Sequence, residues 1–523
     1  MRRLSPRVAL LAAALVWIAA PTGVAPAAAS SEPIVYTVRI DAPDTQTAVV
    51  TVSLPTGKRA TVDLMMAIWS PGFYRVEDYA GKVQEIAARD AAGRPLAIAP
   101  TTKNRWRVET GGASSVLVSY RLTCTQRSVT TNWVSPDLVV LNGAATFITI
   151  AGELQRRHDV LLVLPSTLPR VATALDPVPG RAPHHYCAPD FDTLADSPIV
   201  AGDLDIHEFT VGGRLHVLAD AGDRQAWDGA RAAADLARLV RAAHKYWGGL
   251  PYPRYVFLNV FRQGGGGLEH KDSTLLTANA ARTSTPEGYQ RWLAFVAHEY
   301  FHAFNVKRLR PVELGPFDYE NPPRTKSLWL SEGATSYFAN LMLARAGLID
   351  RAGFLAAMSS SIRQLQQAPG RLVQTLEQSS WDVWTNSMSG VNPNATTVSY
   401  YVKGDIVAFL LDARIRHATG GSKSLDDAMR LAYTRYAGAR GFTPDEFRAT
   451  AEKVAHADLR EWFGRVLAST EELDYSEALD WYGLRFAQPS AGVDPTWRLE
   501  MREDATAAQQ AHLDALTRAA AER

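Results

Sequence analysis

Trp292-Leu293-Ala294-Phe295-Val296-Ala297-His298-Glu299-Tyr300-Phe301-His302 is the stretch from which the rest of the chain can be read. It holds no Gly or Pro, and its apolar residues recur at helical spacing, which predicts one core-facing helix from about Glu287 to Asn305. Residues four apart on a helix lie about 40° apart around the axis, so the imidazoles of His298 and His302 can reach one ion. Glu299 between them can turn toward a water on that ion.

The string H-E-x-x-H arises by chance in roughly one or two of every hundred chains of this length, so its setting has to decide. Two imidazoles and a carboxylate in an apolar helix are costly to bury without a partner. A satisfied core histidine accounts for one of them poorly and for all three worse. A third ligand is offered by Leu328-Trp329-Leu330-Ser331-Glu332-Gly333, where Glu332 stands in an apolar helix start thirty positions after His302. Alone, Glu332 would equally suit a helix N-terminus, favoured by the dipole. Beside two candidate histidine ligands it reads as the third. Three protein ligands leave one position for water, the arrangement of catalytic rather than structural zinc. One Zn2+ per chain is therefore expected, with Glu299 as general base in peptide-bond hydrolysis.

Outward from this motif the chain changes character. From Ile34 to about Gly202 it is strand-like: Ile34 to Ile40, Ala48 to Leu54 and Ser115 to Leu122 are rich in β-branched residues and often alternate, with Pro and Gly between them. After His216-Val217-Leu218 the period becomes helical. Helices are expected over Trp227–Trp247, Leu328–Ala346, Arg351–Gln367, Val402–Ala418, Ser424–Ala437, Pro444–Ala455 and Leu459–Leu467, with a short strand at Tyr255–Phe261. The expected class is α+β and multidomain. The divisions are a signal peptide over 1–29, a β-rich domain over 30–203, a catalytic domain with the metal motif over 204–347, a helical C-terminal part over 348–487 and a tail over 488–523.

Composition sets bounds. The chain has 523 residues, 46% hydrophobic and 21% charged, which is ordinary globular usage and about three domains by length. Fifty-five Lys and Arg against 54 Asp and Glu leave a net charge of +1, which argues against nucleic acid or an anionic membrane surface as partner. Arg2, Arg3 and Arg7, the apolar run Val8 to Ala20 and the small residues Ala27-Ala28-Ala29 read as an export signal cleaved near Ser30. Pro21 and Pro26 break a run already short for a spanning anchor. The expected location is therefore periplasmic or secreted, without stable membrane insertion. The two cysteines, Cys124 and Cys187, could pair in an exported protein or stay free and buried, and neither has a zinc-finger neighbour.

Gly264-Gly265-Gly266-Gly267 runs into Leu268-Glu269-His270. Alone this is a flexible loop. Beside a metal site, a glycine strip lets a substrate backbone come close, and a carboxylate there can hold a free α-ammonium.

These segments together are similar to one family. Gly266-Gly267-Leu268-Glu269-His270, His298-Glu299-Tyr300-Phe301-His302 with Asn305-Val306-Lys307-Arg308-Leu309-Arg310-Pro311, Glu313-Leu314-Gly315-Pro316-Phe317-Asp318-Tyr319, Trp329 to Gly333 and Tyr401-Val402-Lys403-Gly404 resemble, in that order, the glycyl aminopeptidase family of zinc metallopeptidases. Trp69-Ser70-Pro71-Gly72-Phe73-Tyr74 and Leu141 to Ala145 resemble its N-terminal domain. The resemblance covers most of residues 34–487. The longer spacing from His302 to Glu332 favours this family over the puromycin-sensitive and leukotriene hydrolase group.

The resemblance implies a thermolysin-like catalytic domain that removes N-terminal residues, with a preference for Gly or Ala. Carried over by position, His298, His302 and Glu332 hold zinc, Glu299 is the base, and Glu269, with Gly266 and Gly267, binds a peptide with a free N-terminus. Tyr401 stabilises the oxyanion. Phe304 stands where the family has Trp. Only about forty residues follow Tyr482-Gly483-Leu484, too few for the family's PDZ domain, and 504–523 reads as one polar, Ala-rich helix. Two other functions fit the motif: a thermolysin-type endopeptidase, for which Glu269 is incidental, and a non-catalytic peptide-binding protein on the same fold.

Overall fold

The computed structural model describes residues 32–385, 396–488 and 497–518. The expected signal segment, 1–29, lies outside them.

Alternation in the sequence becomes a sheet in the first domain. Ile34–Arg39, Thr47–Pro55 and Ser115–Thr123 bury every second residue, among them Ile34, Tyr36, Val38, Val50, Val52, Val118 and Tyr120. They are the middle of an eight-stranded sheet, antiparallel except where Ile34–Arg39 runs parallel to His158–Val163. Two four-stranded sheets complete the domain. Cys124 and Cys187 are both free. Cys187 lies in His185–Ala188, and three strands stand between that strand and Ser115–Thr123, which leads into Cys124. At roughly 4.8 Å per strand, the two are far beyond disulfide reach.

Strands continue further than the sequence suggests. Asp205–Val211 and Arg214–Gly222 form a hairpin that opens a separate five-stranded sheet, followed in spatial order by Arg254–Phe261, Ser273–Ala278 and Gly266–Glu269. The helix Gly229–Trp247 makes the crossover between two parallel strands, starting on an Asp228 cap and ending at Gly248 in the left-handed region. The glycine strip is not a loop at its functional end. Gly266–Glu269 pairs antiparallel with Ser273–Ala278 and forms the sheet edge.

Against this sheet pack the helices. Pro286–Phe301 carries the H-E-x-x-H motif and ends four residues earlier than expected, with His302 as its last, half-helical residue. Past it the chain turns sharply, Lys307 N donating to His302 O and Leu309 N to Phe304 O. The segment expected as one helix over 328–346 begins instead as a π-helical turn, Trp329–Gly333, continuing into Ala334–Arg345. Tyr400–Ala418 is buried on nearly every face and is the axis of the helical region. Arg351–Gln367 and Pro444–Ala455 fall as predicted, and Leu425–Tyr436 and Arg460–Ala468 lie within one residue of expectation at each end.

Residues 497–518 are not a detached tail. Leu499–Met501 pairs with Leu484–Phe486, and Ala507–Thr517 sends Leu513 and Leu516 into the catalytic core. Among the described residues no helix is long and apolar enough to cross a membrane.

Candidate active site

Four elements converge on one cleft of about 650 Å³, lined by Gly266, Gly267, Glu269, His298, Glu299, His302, Glu332 and Tyr401. All eight residues singled out from the sequence therefore meet in one place. Gly72 and Phe73, from the first domain, line it too.

The 286–301 helix presents His298 and His302 one turn apart, and the π-turn brings Glu332 to them. His298 Nε2 and His302 Nε2 are 3.0 Å apart, and Glu332 Oε2 lies 3.1 Å from His302 Nε2 and 3.4 Å from His298 Nε2. Ligands about 2.0–2.1 Å from a tetrahedral zinc ion stand about 3.4 Å from one another, so the three atoms fit such an ion. Their surroundings agree. His302 Nδ1 donates to the Asn305 carbonyl at 2.9 Å, and His298 Nδ1 lies 3.3 Å from Ser336 Oγ, which itself donates to the Glu332 carbonyl. With Nδ1 of each ring so engaged, both Nε2 lone pairs face the common point. Glu332 Oε1 is buried without a partner.

Asn305 ties together the two segments that carry His302 and Glu332. Its side-chain amide donates to Leu330 O at 2.8 Å and to Thr335 Oγ1 at 2.9 Å. It thereby fixes the turn after His302 against the π-turn that carries Glu332.

Glu299 is 5% exposed. Burial raises its carboxyl well above the usual range; His302 opposes this, and Glu269 and Glu332 add to it. Such a carboxylate is a stronger base than one in water. Gly267 explains its placement: a Cβ there would overlap the Glu299 carboxylate and the Phe295 ring. The position of the Glu299 carboxylate thus requires a glycine here. In a strand, residues two apart share a face, so Glu269 looks into the cleft with Gly267 while Leu268 enters the core behind.

Glu269 is 3% exposed, and its Oε1 has no hydrogen-bond partner. Ligand atoms of Glu269, Glu299 and His302 lie within 4.8 Å of one another. Burial pushes the Glu269 carboxyl up to about 6, against the pull of His302 and Lys307. Across the cleft, the half-buried Tyr401 has its ring 6.0 Å from that of His298. Burial, then the Glu332 carboxylate, hold its phenol protonated and able to donate.

Sequence reasoning did not assign roles to Gly72, Asn305, Lys307, Ser336 or Asp196. Gly72, Asn305 and Lys307 lie in quoted motifs, which was the available signal; Ser336 and Asp196 carried none.

Two family models match the chain: the Peptidase M61 N-terminal domain over residues 35–203 and the M61 glycyl aminopeptidase over residues 291–407. Among solved structures it is similar to an aminopeptidase N family protein from Idiomarina loihiensis, at 27% identity and a TM-score of 0.81, covering 86% of this chain and 78% of that one. In fold alone it is also like an M1 zinc metallopeptidase point mutant from Deinococcus radiodurans, bound to a Tyr-Ser-Ala substrate (14% identity, TM-score 0.51, 85% and 95% covered). No curated protein matches the sequence.

Proposed function

This chain belongs to the M61 glycyl aminopeptidase family, and from that premise we propose that it is a zinc-dependent aminopeptidase releasing small N-terminal residues, Gly or Ala, from peptides. One observation carries the reading. A buried carboxylate with a free oxygen, Glu269, stands in the same cleft as the three metal-ligand candidates. A peptide's free α-ammonium is the cation that a substrate would bring to it.

His298, His302 and Glu332 would hold the zinc, which when bound supplies Lewis acidity at the scissile carbonyl and an acidified water. The remaining work falls to side chains. Glu269 anchors the ammonium and so selects the first peptide bond. The outer edge of Gly266–Glu269, a sheet edge among the described residues, can run alongside the substrate backbone. Glu299 takes the proton of the attacking water and returns it to the leaving amine. Tyr401 donates its phenolic hydrogen to the oxyanion. The preference for Gly or Ala is supported by family membership, and export by the sequence of 1–29.

A panel of amino-acid anilides, free and N-acetylated, with and without chelator, tests this. Chelator-sensitive cleavage of free Gly and Ala anilides is expected. Acetylated substrates cut as fast as free ones would make the enzyme an endopeptidase and remove the amine role of Glu269.

A further inference from the structure

Two motifs remain without a task in this chemistry: Trp69 to Tyr74 in the first domain and Glu313 to Tyr319 after the metal-binding helix. They pack on each other. The Trp69 ring lies 5.9 Å from Phe317 and 6.3 Å from Tyr319, its indole N–H donates to Asp318 O at 2.8 Å, and Ile68 N donates to Tyr319 O at 2.9 Å. Tyr319 enters the core of the first domain and donates to Asp192 at 2.9 Å. The segment just past the zinc motif is therefore a plug seated in the neighbouring domain.

Beside the plug is a buried charged tie. Asp196, from the first domain, accepts from Lys307 Nζ at 2.9 Å and from the Lys271 backbone N–H at 2.7 Å, and it faces His270 Nδ1 at 3.0 Å. Lys307 also donates to the Pro71 carbonyl at 3.3 Å, and its side chain is 5% exposed. One carboxylate thus grips both the residues directly after Glu269 and the lysine that holds the Pro71–Phe73 turn. That turn touches the site: Gly72 is at φ +100, and a Cβ on it would overlap both oxygens of Glu269. Gly72 and Glu269 line both the open cleft and a second space of about 10 Å³ shared with Lys307 and Phe317, room for one water at most.

We propose that the first domain builds the end wall of the amine subsite: the Asp196–Lys307 tie presses the Pro71–Phe73 turn against Glu269, leaving no space upstream of the first residue. Lys307 and Asp196 are positioning residues, and Gly72 is the wall itself. The inference rests on the aminopeptidase reading, because a wall matters only where the chain must stop.

The test uses the full-length zinc enzyme and the variants K307M and the isosteric D196N, with zinc content and melting temperature measured alongside. For a free Gly anilide, KM is expected to rise about tenfold while kcat falls less than threefold. The ratio of free to N-acetylated cleavage should fall about tenfold, and dipeptide release from a tripeptide anilide should emerge. If K307M does not fold, D196N decides alone. Wild-type KM and selectivity in zinc-loaded, folded variants would overturn the wall while leaving the aminopeptidase standing. A wild-type enzyme that ignores N-acetylation would instead remove the reading beneath it.

Discussion

Gly333 and Gly404 cross in direct backbone contact: a Cβ on either would run into the other's Cα, and one on Gly404 would also meet Trp329 O at 2.7 Å. One glycine closes the π-turn that carries Glu332, and the other lies one turn past Tyr401 on the 400–418 helix. Their contact sets the spacing between the turn that carries Glu332 and the helix that carries Tyr401. G333A is expected to lower stability by about 1–3 kcal/mol, the usual cost of overpacking. It should also weaken zinc binding, read by thermal unfolding and chelator competition. A variant with wild-type melting and zinc affinity would show that the crossing tolerates a methyl group.

Asn305 braces the candidate metal site from behind. N305A removes the donors to Leu330 O and Thr335 Oγ1, which frees the turn after His302 from the Glu332 segment. Zinc affinity should fall about 10- to 100-fold, as for other outer supports of metal ligands. Titration against a fluorescent zinc chelator measures it, and unchanged affinity would dismiss the brace.

E299Q and Y401F separate chemistry from binding. Both should keep stoichiometric zinc. The first is expected to lower kcat about 10²- to 10⁴-fold through loss of the base, and the second about 10²- to 10³-fold through loss of the oxyanion donor. Steady-state kinetics on a free Gly anilide gives both, with KM changing little. A Y401F enzyme within threefold of wild-type kcat would end the phenol's assignment.

Asp405 predicts a pH effect on stability. It is 2% exposed, accepts from Ser361 Oγ at 2.5 Å through one oxygen, and has no partner for the other. Burial pushes its carboxyl up to about 7, against Ser361. A folded value above the unfolded one, about 3.9, means that the fold favours the protonated acid. Stability is then lost as pH rises from about 4 to 7, by an amount on the order of a few kcal/mol, and is level above that. D405N should melt higher than wild type at pH 8 and match it near pH 4. Equal melting curves at both pH values would refute the account.

The zinc motif was legible because its chemistry is local: two histidines one helical turn apart face one point whatever surrounds the helix, and an apolar setting makes unpartnered polar groups expensive. The same holds for the alternating strands Ile34–Arg39 and Ser115–Thr123 and for the periodic helix Arg351–Gln367, where local pattern and burial agree. The resemblance then supplied roles for Glu269 and Tyr401 that residue chemistry had left open. Elsewhere the outcome depended on partners distant in the chain. The glycine strip became a strand because Ser273–Ala278 offers it a ladder, the start of the 328–346 helix became a π-turn where Gly404 crosses it, and Leu513 and Leu516 drew the expected tail into the core. The sequence by itself determined which atoms could bind a metal, the alternating strands of the first domain and most of the helices. The tertiary structure alone decided that Gly72 lines the cleft and that Lys307 holds its turn from behind, because an interdomain contact leaves no period or spacing in the chain and exists only once two surfaces fit.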